Sequence, residues 1–95
     1  MYGLTSFTIK NMTLRNRIVM PPMCMYSAGT DGMAKAFHFS HYTARAVGGV
    51  GLIIMEATGV LPCGRISDHC LGLWNDEQAE ALAPIVRACQ EQGAK

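Results

Sequence analysis

The sequence has few charged residues and contains no block of like charge. Charged side chains make up 16% of the 95 residues, and the formal net charge at pH 7 is +1. Proteins that bind nucleic acid or an anionic membrane surface by electrostatics need a basic patch, and the sequence offers none. The apolar share of 49% is too high for a disordered chain. We therefore expect a globular protein with no nucleic-acid and no membrane partner.

Long apolar runs and a targeting signal are also missing. No run approaches the roughly 20 apolar residues that a membrane-spanning helix needs. The start, Met1–Thr5, lacks the charged and apolar regions of a signal peptide. Cytoplasmic localisation is the resulting prediction, and in a reducing compartment the four cysteines are not expected to form a disulfide framework.

Metal-binding patterns are weak. A zinc site built from Cys63, His69 and Cys70 does not have the spacing of a structural zinc finger. His38 and His41 lie three residues apart, but no third ligand follows at a suitable spacing. We expect no metal site, and we expect these two histidines to help start and pack a helix.

Hydrophobic periodicity predicts a hairpin followed by two parallel strands. Alternating apolar and polar residues over 5–16, with a turn at Lys10-Asn11, favour an antiparallel hairpin. The short apolar runs at 17–21 and 51–55 are typical of buried parallel strands. Pro21-Pro22 should end the first of them, because proline cannot donate a ladder hydrogen bond.

Two helices complete the prediction. The first spans about 40–47 and ends at Gly48-Gly49. The second starts at the N-cap Asn75 and carries an apolar stripe, with Pro84 expected to kink or divide it. A long loop with room for a small hairpin separates the second strand from this helix. The order β-α-β-α requires a parallel sheet with a right-handed crossover.

The ends of the two parallel strands are the most informative places for chemistry. Parallel strands present their C-terminal ends on one side, where βα proteins carry their functional residues. Cys24 and Tyr26 follow the first strand, and Glu56 and Ala57 follow the second. A small buried cysteine and a partly buried tyrosine with a satisfied hydroxyl are the structural alternatives for the first pair.

Several segments, in order and with consistent spacing, resemble one family across essentially the whole chain. They are Leu14–Met20, Pro21–Ser27, His41–Ile54, Glu56–Val60, Gly64–Ile66 and Leu71–Glu77. Together they resemble the start of the Old Yellow Enzyme family of flavin-dependent ene-reductases, in particular its bacterial, thermophilic-like class. The resemblance implies an α/β fold, namely the first two βα units of a (β/α)8 TIM barrel preceded by an N-terminal β-hairpin.

Such a barrel needs roughly 250 residues, so the resemblance implies that residues 1–95 are the N-terminal part of a single barrel domain. Within it we expect a bottom hairpin over 5–16, a β-α-β unit over 17–58, a loop over 59–74 and a helix over 75–92. The implied parent enzyme uses FMN and NAD(P)H to reduce activated C=C bonds, such as those of enones. The 95-residue chain alone is expected to be inactive.

The resemblance also implies roles for individual residues. Cys24 would lie against the flavin and tune its redox potential, and Tyr26 would position the substrate. Pro22 and Met23 would touch the flavin ring through their backbone, and the small side chain of Ala57 would permit close approach of the flavin.

The parent's substrate-binding histidine pair, its proton donor, the glutamine that holds the flavin and the phosphate site would all lie on later strands. Glu56 is expected to be buried and paired rather than to act as a general base. Arg65 is a loop cation, and a phosphate contact for it has no support in the sequence.

Two alternatives stay open. The chain is a non-catalytic fragment completed by another chain, or it is part of a related flavin barrel reductase of the dienoyl reductase or xenobiotic reductase type. The expected partners are a small activated alkene, the remaining barrel segment or a complementary chain, and further copies of the same protein in a homo-oligomer.

Overall fold

A computed structural model describes residues 2–95. Within that range the chain forms two α-helices and six short strands. The strands are β1 (Phe7–Ile9), β2 (Met12–Leu14), β3 (Val19–Met20), β4 (Leu52–Ile53), β5 (Thr58–Gly59) and β6 (Leu71–Gly72), and the helices are α1 (Ala36–Gly48) and α2 (Asp76–Glu91). Neither helix is long and apolar enough to cross a membrane.

The N-terminal hairpin lies inside the segment that the sequence predicts. Strands β1 and β2 pair antiparallel, with Phe7 opposite Leu14 and Ile9 opposite Met12. The pairing leaves Lys10 and Asn11 as the turn, and Lys10 adopts a left-handed conformation with φ of 50°. Tight two-residue hairpin turns require this positive φ.

The predicted parallel pair is confirmed, although its ladder is shorter than the apolar runs. Val19 lies opposite Leu52 and Met20 opposite Ile53, and α1 forms the connection between β3 and β4. The ladder stops just before Pro21, as expected for a residue without an N–H group. Both strands therefore run in one direction and leave the sheet at the same end.

Helix α1 begins at Ala36, four residues before the predicted start. The preceding residue, Lys35, is not a usual N-cap, so the sequence carries no capping signal there. Instead, the Lys35 N–H donates to Nδ1 of His38 at 3.0 Å and the His38 N–H donates to the Lys35 carbonyl at 3.0 Å. The helix ends as predicted, because Gly49 adopts the left-handed conformation at φ of 108°.

Helix α2 starts where the sequence predicts. The Asn75 side chain accepts a hydrogen bond from the Gln78 N–H at 2.8 Å, and the Gln78 side chain accepts from the Asn75 N–H at 3.2 Å. This reciprocal arrangement is a capping box. Of the two effects expected of Pro84, a kink or a division of the helix, the division is wrong, because α2 runs continuously from Asp76 to Glu91. Proline removes one backbone hydrogen bond, and the buried Ile85 and Cys89 anchor the helix beyond it.

The loop after β4 contains a parallel strand pair where a small hairpin was expected. Thr58 lies opposite Leu71, and Gly59 lies opposite Gly72. The intervening chain includes a 3₁₀ turn at Pro62–Gly64. A connection of about a dozen residues is long enough to return the chain in the same direction. Gly72 packs closely here, since a Cβ atom at that position would clash with the Trp74 ring.

The core lies between the two helices and the β3–β4 pair. Its buried members are Met20, Tyr42, Ala46, Ile85, Cys89 and Ala94. Each helix contributes to it through one face, which is the arrangement expected for helices that cover a parallel sheet. This packing fixes the direction of β3 and β4 and so fixes where their C-terminal ends emerge.

Candidate functional site

The segments that follow β3 and β4 meet at one end of the sheet. The N–H of Met25 donates a hydrogen bond to Oε2 of Glu56 at 3.2 Å. Cys24 precedes Met25 and Ala57 follows Glu56, so both flank this contact along their own segments. The structure thus links the two places that the sequence analysis singled out.

Cys24 and Tyr26 occupy a strained part of the first segment. Cys24 is a half-buried free thiol, and the Tyr26 side chain is 49% exposed. Tyr26 has a φ of 51°, which is uncommon for a bulky residue and must be imposed by the surrounding structure. Ionising the phenol next to Cys24 would bring two negative charges together, which raises the pKa of the Tyr26 hydroxyl. The phenol is therefore protonated at neutral pH and can donate a hydrogen bond.

Small and apolar residues at the same strand ends are accessible. Pro22 and Ala57 are exposed, and Met23 is nearly half exposed. Such a surface beside a thiol and a phenol suits contact with a flat, largely apolar ring. The residues predicted for one site thus follow the two strand ends, which is compatible with a shared site.

Glu56 is buried and paired, as the sequence analysis expected. Its side chain is 4% exposed, and Oε1 accepts a hydrogen bond from the Tyr42 hydroxyl at 2.8 Å. The Tyr42 oxygen in turn accepts from the Glu56 N–H at 3.0 Å. Burial raises the pKa of Tyr42, which keeps its hydroxyl protonated as a donor. This role of Tyr42 was missed from the sequence, since no local pattern links it to Glu56, 14 positions away.

The two histidines of α1 serve packing. His38 is fully buried, with Nδ1 engaged by the Lys35 N–H, and His41 stacks on Phe37 with ring centroids 5.3 Å apart. In the part of the chain that the structure describes, no three His, Cys, Asp or Glu side chains form a group that could hold a metal ion. Nε2 of each histidine is buried without a hydrogen-bond partner within residues 2–95.

These histidines predict a pH dependence of stability. Burial lowers the pKa of both His38 and His41, with nearby Arg45 adding to the effect at His41. A lowered pKa in the folded state means that the unfolded state takes up protons first as the pH falls. We expect stability to decrease as the pH falls below about 6.5, the usual histidine pKa. NMR titration of the ring carbons in native and urea-unfolded protein checks this, and equal pKa values in the two states would contradict it.

Arg65 stabilises the loop between β5 and β6 through hydrogen bonds and a cation–π contact. Its guanidinium donates to the Thr30 carbonyl at 2.7 Å and to the Pro62 carbonyl at 3.0 Å, and it lies over the Trp74 ring at 5.3 Å. These contacts occupy the side chain with backbone acceptors and an aromatic face. The structure therefore gives Arg65 a structural role, which the sequence alone did not reveal.

Comparison with known proteins assigns the chain to a family. A family model described as the NADH:flavin oxidoreductase / NADH oxidase family matches residues 4–95. The NADPH dehydrogenase of Clostridium acetobutylicum is 56% identical over 90 residues, which cover 95% of this chain and 26% of that protein. The NADPH dehydrogenase of Bacillus subtilis is 55% identical over 92 residues, which cover 96% of this chain and 27% of that protein.

Solved structures agree with the sequence comparison. An Old Yellow Enzyme from Pichia sp. superposes with a TM-score of 0.91 at 28% identity, over 98% of this chain and 24% of that chain. Morphinone reductase superposes with a TM-score of 0.88 at 28% identity, with the same coverage. The chain thus spans about a quarter of the length of the relatives it matches. With a family model that matches nearly its entire length, the chain belongs to the NADH:flavin oxidoreductase / NADH oxidase family, the family of the Old Yellow Enzymes.

Proposed function

We propose that this chain is the N-terminal quarter of an FMN-dependent NAD(P)H:alkene oxidoreductase that reduces activated C=C bonds, such as those of enones. Family membership supports FMN and NADPH or NADH as cofactors. The observation that carries the proposal is the hydrogen bond from the Met25 N–H to Glu56, which joins the segments after β3 and β4. Cys24, Tyr26 and Ala57 lie on these segments, at the C-terminal end of the parallel strands. That end is where βα barrels carry their active sites.

The proposed barrel would continue from the parallel pair. β3 and β4 would be its first two strands, and the β1–β2 hairpin would cover its bottom. Lys95 supports this placement, because its N–H donates to the Gly51 carbonyl at 3.0 Å and its carbonyl accepts from the Ile53 N–H at 2.8 Å. One residue that bonds to two alternate residues of a neighbour is the pattern of a parallel ladder. A third parallel strand would thus lie beside β4.

The residues present fit an FMN ring. Pro22, Met23 and Ala57 would supply an accessible apolar wall, and Cys24 would place a soft, polarisable thiol against the ring. When bound, FMN would supply hydride transfer from NAD(P)H to the β-carbon of the alkene. Cys24 would respond to the charge of the ring and so tune its potential. The exposed, protonated Tyr26 would donate a hydrogen bond to the substrate carbonyl.

A test of this function uses the complete protein that contains these 95 residues, loaded with FMN. We expect flavin-dependent oxidation of NADPH with 2-cyclohexenone as acceptor. Tyr26→Phe should lower kcat/KM for 2-cyclohexenone by about tenfold, the effect of one lost hydrogen bond of about 1.4 kcal/mol. Tyr2→Phe makes the same change at an exposed position outside the site.

Two results would contradict the proposal. A complete protein that retains no FMN, or that oxidises NADPH at the same rate with and without FMN, would remove the proposed activity. Equal kcat/KM values for Tyr26→Phe and Tyr2→Phe would leave the activity in place and remove the role of Tyr26.

A second candidate is a half-protein whose barrel is completed by another chain. Apolar side chains next to the β3–β4 pair favour it, since Ile18, Val19 and Ile54 are each more than two-fifths exposed. Apolar surface of this kind requires a covering partner. A purified 95-residue chain that runs as a stable monomer in size-exclusion chromatography and unfolds cooperatively in urea would count against this candidate.

A further inference from the structure

Glu56 is a buried carboxylate for which the proposed chemistry has no use. Its hydrogen-bond partners within residues 2–95 are neutral, namely the Tyr42 hydroxyl at 2.8 Å and the Met25 N–H at 3.2 Å. Burying a carboxylate is costly unless hydrogen bonds stabilise it. An apolar residue at this position would avoid the free energy of desolvating a carboxyl group. The role of Glu56 is therefore to be sought in the hydrogen bonds that it makes.

Those contacts connect three elements. Tyr42 projects from α1, Glu56 follows β4, and Met25 belongs to the segment that follows β3. The Glu56 N–H also donates to the Tyr42 oxygen, so the tyrosine holds both the backbone and the side chain of Glu56. The carboxylate therefore has a fixed orientation and presents Oε2 to Met25.

Met25 is the residue between the proposed flavin contact and the proposed substrate contact. Its N–H is held by Glu56, and its carbonyl accepts a hydrogen bond from the Ser27 hydroxyl at 2.9 Å. The peptide planes on both sides of Met25 are thereby fixed. Tyr26 follows directly with its left-handed φ of 51°. A strained conformation of this kind persists only when its surroundings determine it.

With the proposed function as its basis, we propose that Glu56 is a positioning residue. Its carboxylate, oriented by Tyr42, holds the Met25 N–H and so fixes the Cys24 thiol and the Tyr26 phenol for flavin and substrate. Glu56 acts through these two side chains and does not itself touch the reacting atoms. A carboxyl group suits the task, because one oxygen accepts from the Tyr42 hydroxyl while the other accepts from the Met25 N–H.

The first experiment tests the clamp without reference to activity. In the complete protein with FMN, Glu56→Gln should raise the hydrogen-exchange rate of the Met25 amide by about tenfold or more, as local opening becomes easier. The Ile53 amide in β4 should keep its rate. Glu80→Gln, on the exposed side of α2, is the matched control and should leave both amides unchanged. An unchanged Met25 rate in Glu56→Gln would overturn the inference.

The second experiment tests whether the clamp acts through Tyr26. Glu56→Gln alone should lower kcat/KM for 2-cyclohexenone by about tenfold, but by less than about twofold when Tyr26→Phe is already present, because coupled residues are not additive. Losses of the two variants that are additive in free energy would show that Glu56 does not act through Tyr26 and would overturn that positioning role. Should Glu56→Gln fail to fold, Tyr42→Phe removes the orienting hydroxyl and should give the same pattern.

The two proposals fail in different ways. A wild-type protein that shows no FMN-dependent activity overturns the proposed function, while the Met25 exchange rate still decides whether Glu56 holds the segment. An active wild-type protein with additive losses overturns only the positioning role.

Discussion

Replacing Arg15 with methionine is expected to lower the free energy of unfolding of the complete protein by about 3 kcal/mol. A hydrogen bond from a charged donor contributes about 1.5–3 kcal/mol, and the solvent exposure of Arg15 reduces the contribution of each of its bonds. The guanidinium donates to the carbonyls of Ala46, at 2.8 Å, and of Val50, at 3.0 Å. It also donates to the carbonyl of Gln92, the C-cap of α2. One cation thus satisfies the C-terminal ends of both helices, where the helix dipole favours positive charge.

Arg15 is also closely packed against the chain after α2. Gly93 has a φ of 94°, which favours glycine, and a Cβ atom there would lie 2.6 Å from Nη1 of Arg15. Methionine keeps the length of an apolar stem and removes only the charged fork. Urea unfolding measures the change, and Arg87→Met, at an exposed position of α2, is the matched control with an expected effect within about 0.5 kcal/mol. A loss below 1 kcal/mol for Arg15→Met would contradict the assigned role.

Replacing Ala57 with leucine is expected to weaken FMN binding by about 100-fold. The exposed alanine has space around it in this chain, so the larger side chain should not disturb the fold. In the proposed site the added atoms would occupy the volume of the flavin ring, and overpacking of a fitted contact costs about 1–3 kcal/mol, or about 5- to 150-fold in affinity. The expected loss of about 100-fold in FMN affinity lies near the upper end of this range, because leucine adds three carbon atoms to the contact.

Fluorescence titration of the apoprotein with FMN measures this effect. Ala44→Leu makes the same change at an exposed position of α1 and should leave the affinity unaltered. Equal thermal stability of the two variants would show that the fold is intact. Undiminished FMN affinity in Ala57→Leu would place the flavin elsewhere and would remove Ala57 from the site.

Local signals made much of the fold predictable. The Asn75 cap, the turn at Lys10 and the Gly49 helix end are each specified by residues within one turn, and the structure has each of them. The start of α1 was missed because its N-terminal hydrogen bonds come from Lys35 and His38, a pair with no common capping pattern. The expected effect of Pro84 was wrong in part, because tertiary packing holds α2 together.

The candidate site was also predictable only in part. A thiol, a phenol and a carboxylate after two apolar strands mark the sheet edge in the sequence. The hydrogen bond from Met25 to Glu56 joins residues 31 positions apart, and the parallel pairing of β5 with β6 depends on a long connection. Such long-range contacts depend on packing that no local pattern encodes. The left-handed φ of Tyr26 was equally unpredictable, since the adjacent residues in the sequence contain no pattern that requires it.

The crystal structure of the complete protein with FMN is the most direct test of the central claim. We predict the flavin ring against the backbone of Pro22 and Met23, with the Cys24 thiol in contact with the ring and Ala57 close to it. The Tyr26 hydroxyl should point into the space above the ring. A flavin bound away from these residues, or a complete protein that binds no flavin, would contradict the account.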